Sequence, residues 1–206
     1  MKVPFRLQTT EYDCVPASLV NALSYLFDRE QIPPSVVQRI YLHSLDRESV
    51  WGETRRGTSG NAVEMLGALL DNYKEKRYKH FAVSSEFITG RDVHLKKDSK
   101  VLRCIDSGGV ALLRVWLEQD DWHYILAFRH EEGQMLCFDS YRPSKKAGGN
   151  DSVLVLDTVG HQDHNLSIPF TSLDQEVKAP TVFEASKHKW ALGPKNEREC
   201  LLLSGY

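Results

Sequence analysis

Val110-Ala-Leu-Leu-Arg-Val-Trp116, Trp122-His-Tyr-Ile-Leu-Ala-Phe128 and Gln134-Met-Leu-Cys-Phe138 are three apolar runs of strand length. Turn formers separate them, Asp120-Asp121 in the first gap and Glu131 to Gly133 in the second. Short apolar runs joined by tight polar turns read as an antiparallel meander, since a parallel pairing needs a long crossover. Val153 to Leu156 and Glu199 to Ser204 have the texture of two further strands. The stretch between Asp157 and Arg198 carries no clear period.

Upstream of the meander the period changes from two to about 3.6. Leu19, Leu23 and Leu26, with Val20 and Phe27, form one apolar stripe, which predicts a helix of about four turns beginning at Cys14. Asp13 is the expected N-cap, and Pro16 fits only a first turn. Pro33-Pro34-Ser35 opens a second expected helix, with Val36, Val37, Ile40 and Tyr41 facing inward. A third is expected from Asn61 to Tyr73, with Ala62, Met65, Leu66, Leu69 and Tyr73 as its buried face. Ser99 to Asp106 reads as a short helix ended by Gly108-Gly109. Helices first and strands later imply an α+β domain, one helical layer on an antiparallel sheet.

The chain has 206 residues, enough for a single domain spanning 1–206 with a full core. Its formal net charge of −2 argues against a nucleic-acid partner, because phosphate binding needs a cationic excess. The basic clusters at Lys74 to Lys79 and Lys96 to Lys100 are mixed with acids and read as solvated faces. No run of about 18 apolar residues is present, so no transmembrane segment is expected. The first residues lack the apolar core of a secretory signal, and the expected location is cytoplasmic.

Four cysteines, Cys14, Cys104, Cys137 and Cys200, form no close pair. A disulfide framework or a zinc knuckle is therefore not expected. Cys104, Cys137 and Cys200 sit among apolar residues and read as small core residues. The N-x-S triplets at Asn150 and Asn165 carry no meaning without secretion. His161-Gln-Asp163-His164 has histidines, but its short spacing fits a surface loop better than a metal site.

Cys14 differs from the other three. A thiol nucleophile must be a thiolate, which a helix N-terminus and a nearby imidazolium both favour. Cys14 has the helix terminus by position. Its own N–H and the Gln8 side-chain amide form a possible two-donor oxyanion hole. The base must come from elsewhere in the fold. His123 begins one strand of the expected hairpin and Asp139 ends the next, with the turn about midway between them. Antiparallel pairing makes such residues neighbours. The other histidines show no comparable partner. Trp51, Trp116, Trp122 and Trp190 read as core or cleft wall, with Trp122 placed to shield the site from water.

Gln8-x4-Asp13-Cys14-x-x-Ala17-Ser18-Leu19, Gly109 before a β-run, His123-Tyr124 and Asp139 together resemble the peptidase C39-like family of papain-like cysteine peptidases. The resemblance runs from Gln8 to Asp139, and extends toward Leu201. It implies a papain-like fold with Cys14 as nucleophile, His123 as base, Asp139 as orienter and Gln8 as oxyanion donor. It also implies a peptide or protein substrate and no metal or organic cofactor. The best-known members are fused to an ABC transporter and trim leader peptides after a double glycine. Those members often carry glycine after the cysteine, where this chain has Val15-Pro16. The same residue set also serves deamidases and transglutaminases, and a silent peptide-binding module is a further alternative.

Overall fold

A computed structural model describes residues 1–46, 57–118, 121–141, 153–156, 161–176 and 189–206. Trp51, His188, Asp120 and the polar loop with Asn150 lie outside the described residues.

The protein is α+β. Helices α1 (Cys14–Leu26), α2 (Pro34–His43) and α3 (Gly60–Asp71) come first. Strand β1 (Val83–Thr89), helix α4 (Lys100–Asp106) and strands β2 (Val110–Glu118), β3 (Asp121–Glu131) and β4 (Gln134–Phe138) follow. Then come β5 (Leu154–Val155), β6 (Leu166–Pro169), the short α5 (Phe170–Leu173) and β7 (Glu199–Gly205). Among the described residues the strands form one seven-stranded sheet in the order β1-β7-β2-β3-β4-β6-β5, with every pair antiparallel.

The meander β2-β3-β4 is as expected. Glu131 pairs with Gln134, and the two residues between them, Glu132 and Gly133, both have positive φ (49° and 77°). Two-residue hairpin turns need this conformation to follow the strand twist. Strands β1 and β6 were not expected. In β1, Val-Ser-Ser-Glu-Phe-Ile-Thr has too few apolar residues to stand out, yet it pairs with β7 along its whole length. Strand β6 is only four residues long.

The expected single helical layer is corrected to two. Side chains alternate across the sheet. Val110, Leu112, Tyr124, Leu126, Phe128, Leu201 and Leu203 pack with α1, α2 and α3. Ala111, Leu113, Ile125, Ala127, Cys137, Cys200 and Leu202 pack on the other side with α4, α5, Trp190 and Leu192. A sheet buried on both faces needs cover on both, which α4 and the C-terminal segments supply.

Two expected helix faces are rotated. In α2 the buried residues are Val36 and Ile40, four apart, while Tyr41 is exposed. In α3 the buried stripe is Ala62, Val63, Leu66, Gly67 and Leu70, and Met65 is exposed. A glycine at 67 explains the rotation. Its missing side chain lets Leu201 of β7 approach, and a Cβ there would lie 2.7 Å from Leu201 Cδ1. Cys137 and Cys200 are buried as expected, but Cys104 is only partly buried and borders a surface cavity. No helix among the described residues is long and apolar enough to cross a membrane.

Candidate active site

Helix α1 is almost wholly inside the protein, buried from Cys14 to Ser24. Its apolar stripe fixes its rotation, and so aims Cys14 at the strands. Asp13 occupies the N-cap position but does not cap the helix. Its carboxylate instead accepts from the N–H groups of Thr9 and Thr10 at 3.0 and 2.7 Å, and from the Thr10 hydroxyl at 2.8 Å. These donors outweigh burial and hold the Asp13 carboxyl below its ordinary pKa. No side chain therefore caps the helix end that carries Cys14, which keeps its positive end for another anion.

His123 is the third residue of β3, and Asp139 follows the last residue of β4. The ladder pairs Leu126 with Phe138, so Asp139 falls opposite Ile125 and His123 lies two residues further on the same face. Such diagonal neighbours are within side-chain reach. His123 Nε2 and Asp139 Oδ1 are 2.6 Å apart, and both residues are buried. The Cys14 side chain is close enough to His123 to act on its ring electrostatically. With Nε2 on Asp139, the nitrogen left for Cys14 is Nδ1. The structure thus brings Cys14, His123 and Asp139 together in that order.

The electrostatics follow from this chain. Burial alone disfavours the imidazolium, but the Asp139 charge, its hydrogen bond and Cys14 raise the His123 pKa well above its ordinary value. Burial likewise disfavours the Asp139 carboxylate. The His123 charge and hydrogen bond, the Tyr141 N–H and the Trp190 indole overcome this and lower its pKa. Burial pushes the pKa of Cys104, Cys137 and Cys200 upward, so all three are held as neutral thiols.

Gln8 lies beside this set but is engaged. Its N–H donates to the Ser140 carbonyl at 2.9 Å, and its Oε1 accepts from the Ser140 hydroxyl at 2.7 Å. Its Nε2 donates to the Thr10 carbonyl at 2.8 Å. An amide nitrogen has two hydrogens, so that bond leaves a second donor. A cavity of about 220 Å³ opens here, bordered by Leu7, Gln8, Glu11 and Tyr141. The Tyr141 ring stands edge-on to His123, 6.4 Å between centroids.

The sequence did not reveal two partners of Asp139. Asn165 accepts from the Asp139 N–H at 2.7 Å and donates to the Asp139 carbonyl at 2.8 Å. Trp190 donates its indole N–H to Asp139 Oδ2 at 3.2 Å. In the sequence Asn165 is legible only as part of an N-x-S triplet and Trp190 only as core or cleft wall. Nothing local marks either contact, because both arise from chain far from Asp139.

Trp122 precedes His123 in β3. It stacks edge-on with Trp116 and beneath the Arg114 guanidinium, 4.1 Å away. The His161 to His164 stretch is structural: Gln162 donates to the carbonyls of Val3 and Ser24, and Asp163 accepts from Arg129 and His164. Among the described residues no group of three or more His, Cys, Asp or Glu is placed to hold a metal ion.

No protein-family model matches the chain, and no curated protein matches it either.

Proposed function

We propose that the protein is a papain-like cysteine peptidase of the C39-like kind, acting on a peptide or protein substrate in the cytoplasm. The observation that carries this reading is the Cys14–His123–Asp139 chain, with the cysteine at an uncapped helix N-terminus and the His–Asp link at 2.6 Å. A Cys–His–Asp set in this order suits nucleophilic acyl transfer.

In this reading the Cys14 thiolate attacks the scissile carbonyl carbon. The oxyanion is met by the Cys14 N–H and by the second amide hydrogen of Gln8. His123 gives its Nδ1 proton to the leaving amine as the C–N bond breaks, leaving a thioester. His123 then takes a proton from water, which attacks the thioester and releases the acid. Asp139 keeps the ring oriented and supports its positive charge throughout. None of these steps calls on a metal or an organic cofactor.

The test is incubation of the wild type and Cys14→Ala with an unstructured protein such as casein, followed by mass spectrometry and an ammonia assay. New peptide termini from the wild type alone are expected. Ammonia without cleavage would move the reaction to deamidation on the same site. Neither product, with peptide binding unchanged in Cys14→Ala, would leave a binding module.

A further inference from the structure

Asp139 has two carboxylate oxygens, and only one faces the histidine. Oδ1 accepts from His123 and, at 2.9 Å, from the Tyr141 N–H. Oδ2 accepts from Trp190 Nε1. A carboxylate turns easily about its last bond, because that torsion has broad minima. A buried oxygen without a donor would drive it to turn, or to take up a proton. Either change weakens its hold on His123.

The placement of Trp190 is costly in itself. Its φ is +65°, a conformation that bulky side chains rarely adopt, and the residue is buried. Strained backbone of this kind persists only where its surroundings enforce it. Here they do. The Trp190 N–H donates to the Trp116 carbonyl at 2.7 Å, and the Trp116 N–H donates to the Ala191 carbonyl at 2.8 Å. The Leu192 N–H donates to Leu173. Gly193, also at positive φ, lets the chain pass Trp122, where a Cβ would lie 2.8 Å from the ring. Core filling alone would not require the indole nitrogen to point at a carboxylate.

We propose that Trp190 is a positioning residue for the Cys14–His123–Asp139 set: its indole N–H holds the Asp139 carboxylate in the rotation that presents Oδ1 to His123. The inference rests on the catalytic reading of that set. Trp190 touches no reacting atom and acts only through Asp139.

Trp190→Phe keeps an aromatic side chain, smaller than the indole, and removes the donor. Wild type and variant are compared by iodoacetamide labelling of the cysteines with peptide mapping, and by NMR titration of the His123 ring. The Cys14 labelling rate is expected to fall about tenfold, the scale of a hydrogen bond to a charged group. The His123 titration midpoint is expected to move down, because a less well held carboxylate supports the imidazolium less. A folded variant with unchanged rate and midpoint overturns the proposal. If the variant does not fold, the wild-type indole proton of Trp190 supplies the readout. It is expected to shift in step with the His123 titration, and a resonance constant through that titration overturns the proposal. A wild type whose Cys14 has no labelling advantage contradicts the peptidase reading instead, while the indole–histidine coupling is still read on its own.

Discussion

His123 and Asp139 are a buried ion pair whose two pKa values move apart on folding, His123 upward and Asp139 downward. The sign of each contribution to stability follows. That of His123 is complete below the ordinary imidazole value of about 6.5 and is lost as pH rises through its raised folded value. That of Asp139 is complete above the ordinary carboxyl value of about 3.9 and is lost as pH falls through its lowered folded value. Denaturant unfolding should therefore show a stability plateau between those ordinary values, with losses on both sides that Asp139→Asn flattens. His123→Ala should cost about 3–5 kcal/mol near neutral pH, because it leaves a buried carboxylate without its charge partner. The pair itself was legible in the sequence. A period of two and a turn centred between residues 123 and 139 were enough to place both on one ladder. The partners at Asn165 and Trp190 were not, since no spacing rule links residues joined only by tertiary packing.

Two asparagines act as pieces of backbone that fix the segments around the site. Asn21, inside α1, accepts from the Arg6 N–H at 2.8 Å and donates to the Arg6 carbonyl at 2.9 Å. It ties the segment bearing Gln8 to the helix bearing Cys14. Asn165 does the same for Asp139 just beyond the end of β4. An isosteric apolar change, Asn165→Leu, strands one buried N–H and one buried C=O. It should lower stability by about 2–4 kcal/mol in chemical denaturation, and it should slow Cys14 labelling as well. At this scale the sequence revealed the helices well and their faces less well. The α1 stripe was read correctly because it is apolar on most sides. The α3 face was misread because Met65 is apolar yet exposed, while Gly67 faces the sheet. Strands β1 and β6 escaped because pairing with β7 and β4, rather than their own composition, makes them strands.

The two faces of the sheet meet at the site. Cys14 belongs to the core shared with α1 to α3, whereas His123 and Asp139 follow the alternation of the opposite face, where Trp190 lies. That second face is held by Arg198, a fully buried cation. All five of its N–H donors are used: on the carbonyls of Val93, Gly193, Asp174 and Gln175, and on the Asp174 carboxylate. Lysine has three donors and no planar fork. Arg198→Lys keeps the charge but strands at least two of these acceptors, so it should destabilise the protein by about 2 kcal/mol or more, and thermal unfolding measures it. Nothing in the sequence marks this hub, because its partners lie in the stretch without a period and in a loop before α4. In the peptidase reading one cysteine of four is chemically set apart by its proximity to His123. Rates of iodoacetamide labelling for all four cysteines, in the wild type and in His123→Ala at neutral pH, test this most directly. Cys14 should react well ahead of Cys104, Cys137 and Cys200, whose thiols burial keeps neutral, and should lose that lead in the variant. A Cys14 as inert as the other three, or one whose rate is unchanged without His123, would contradict it.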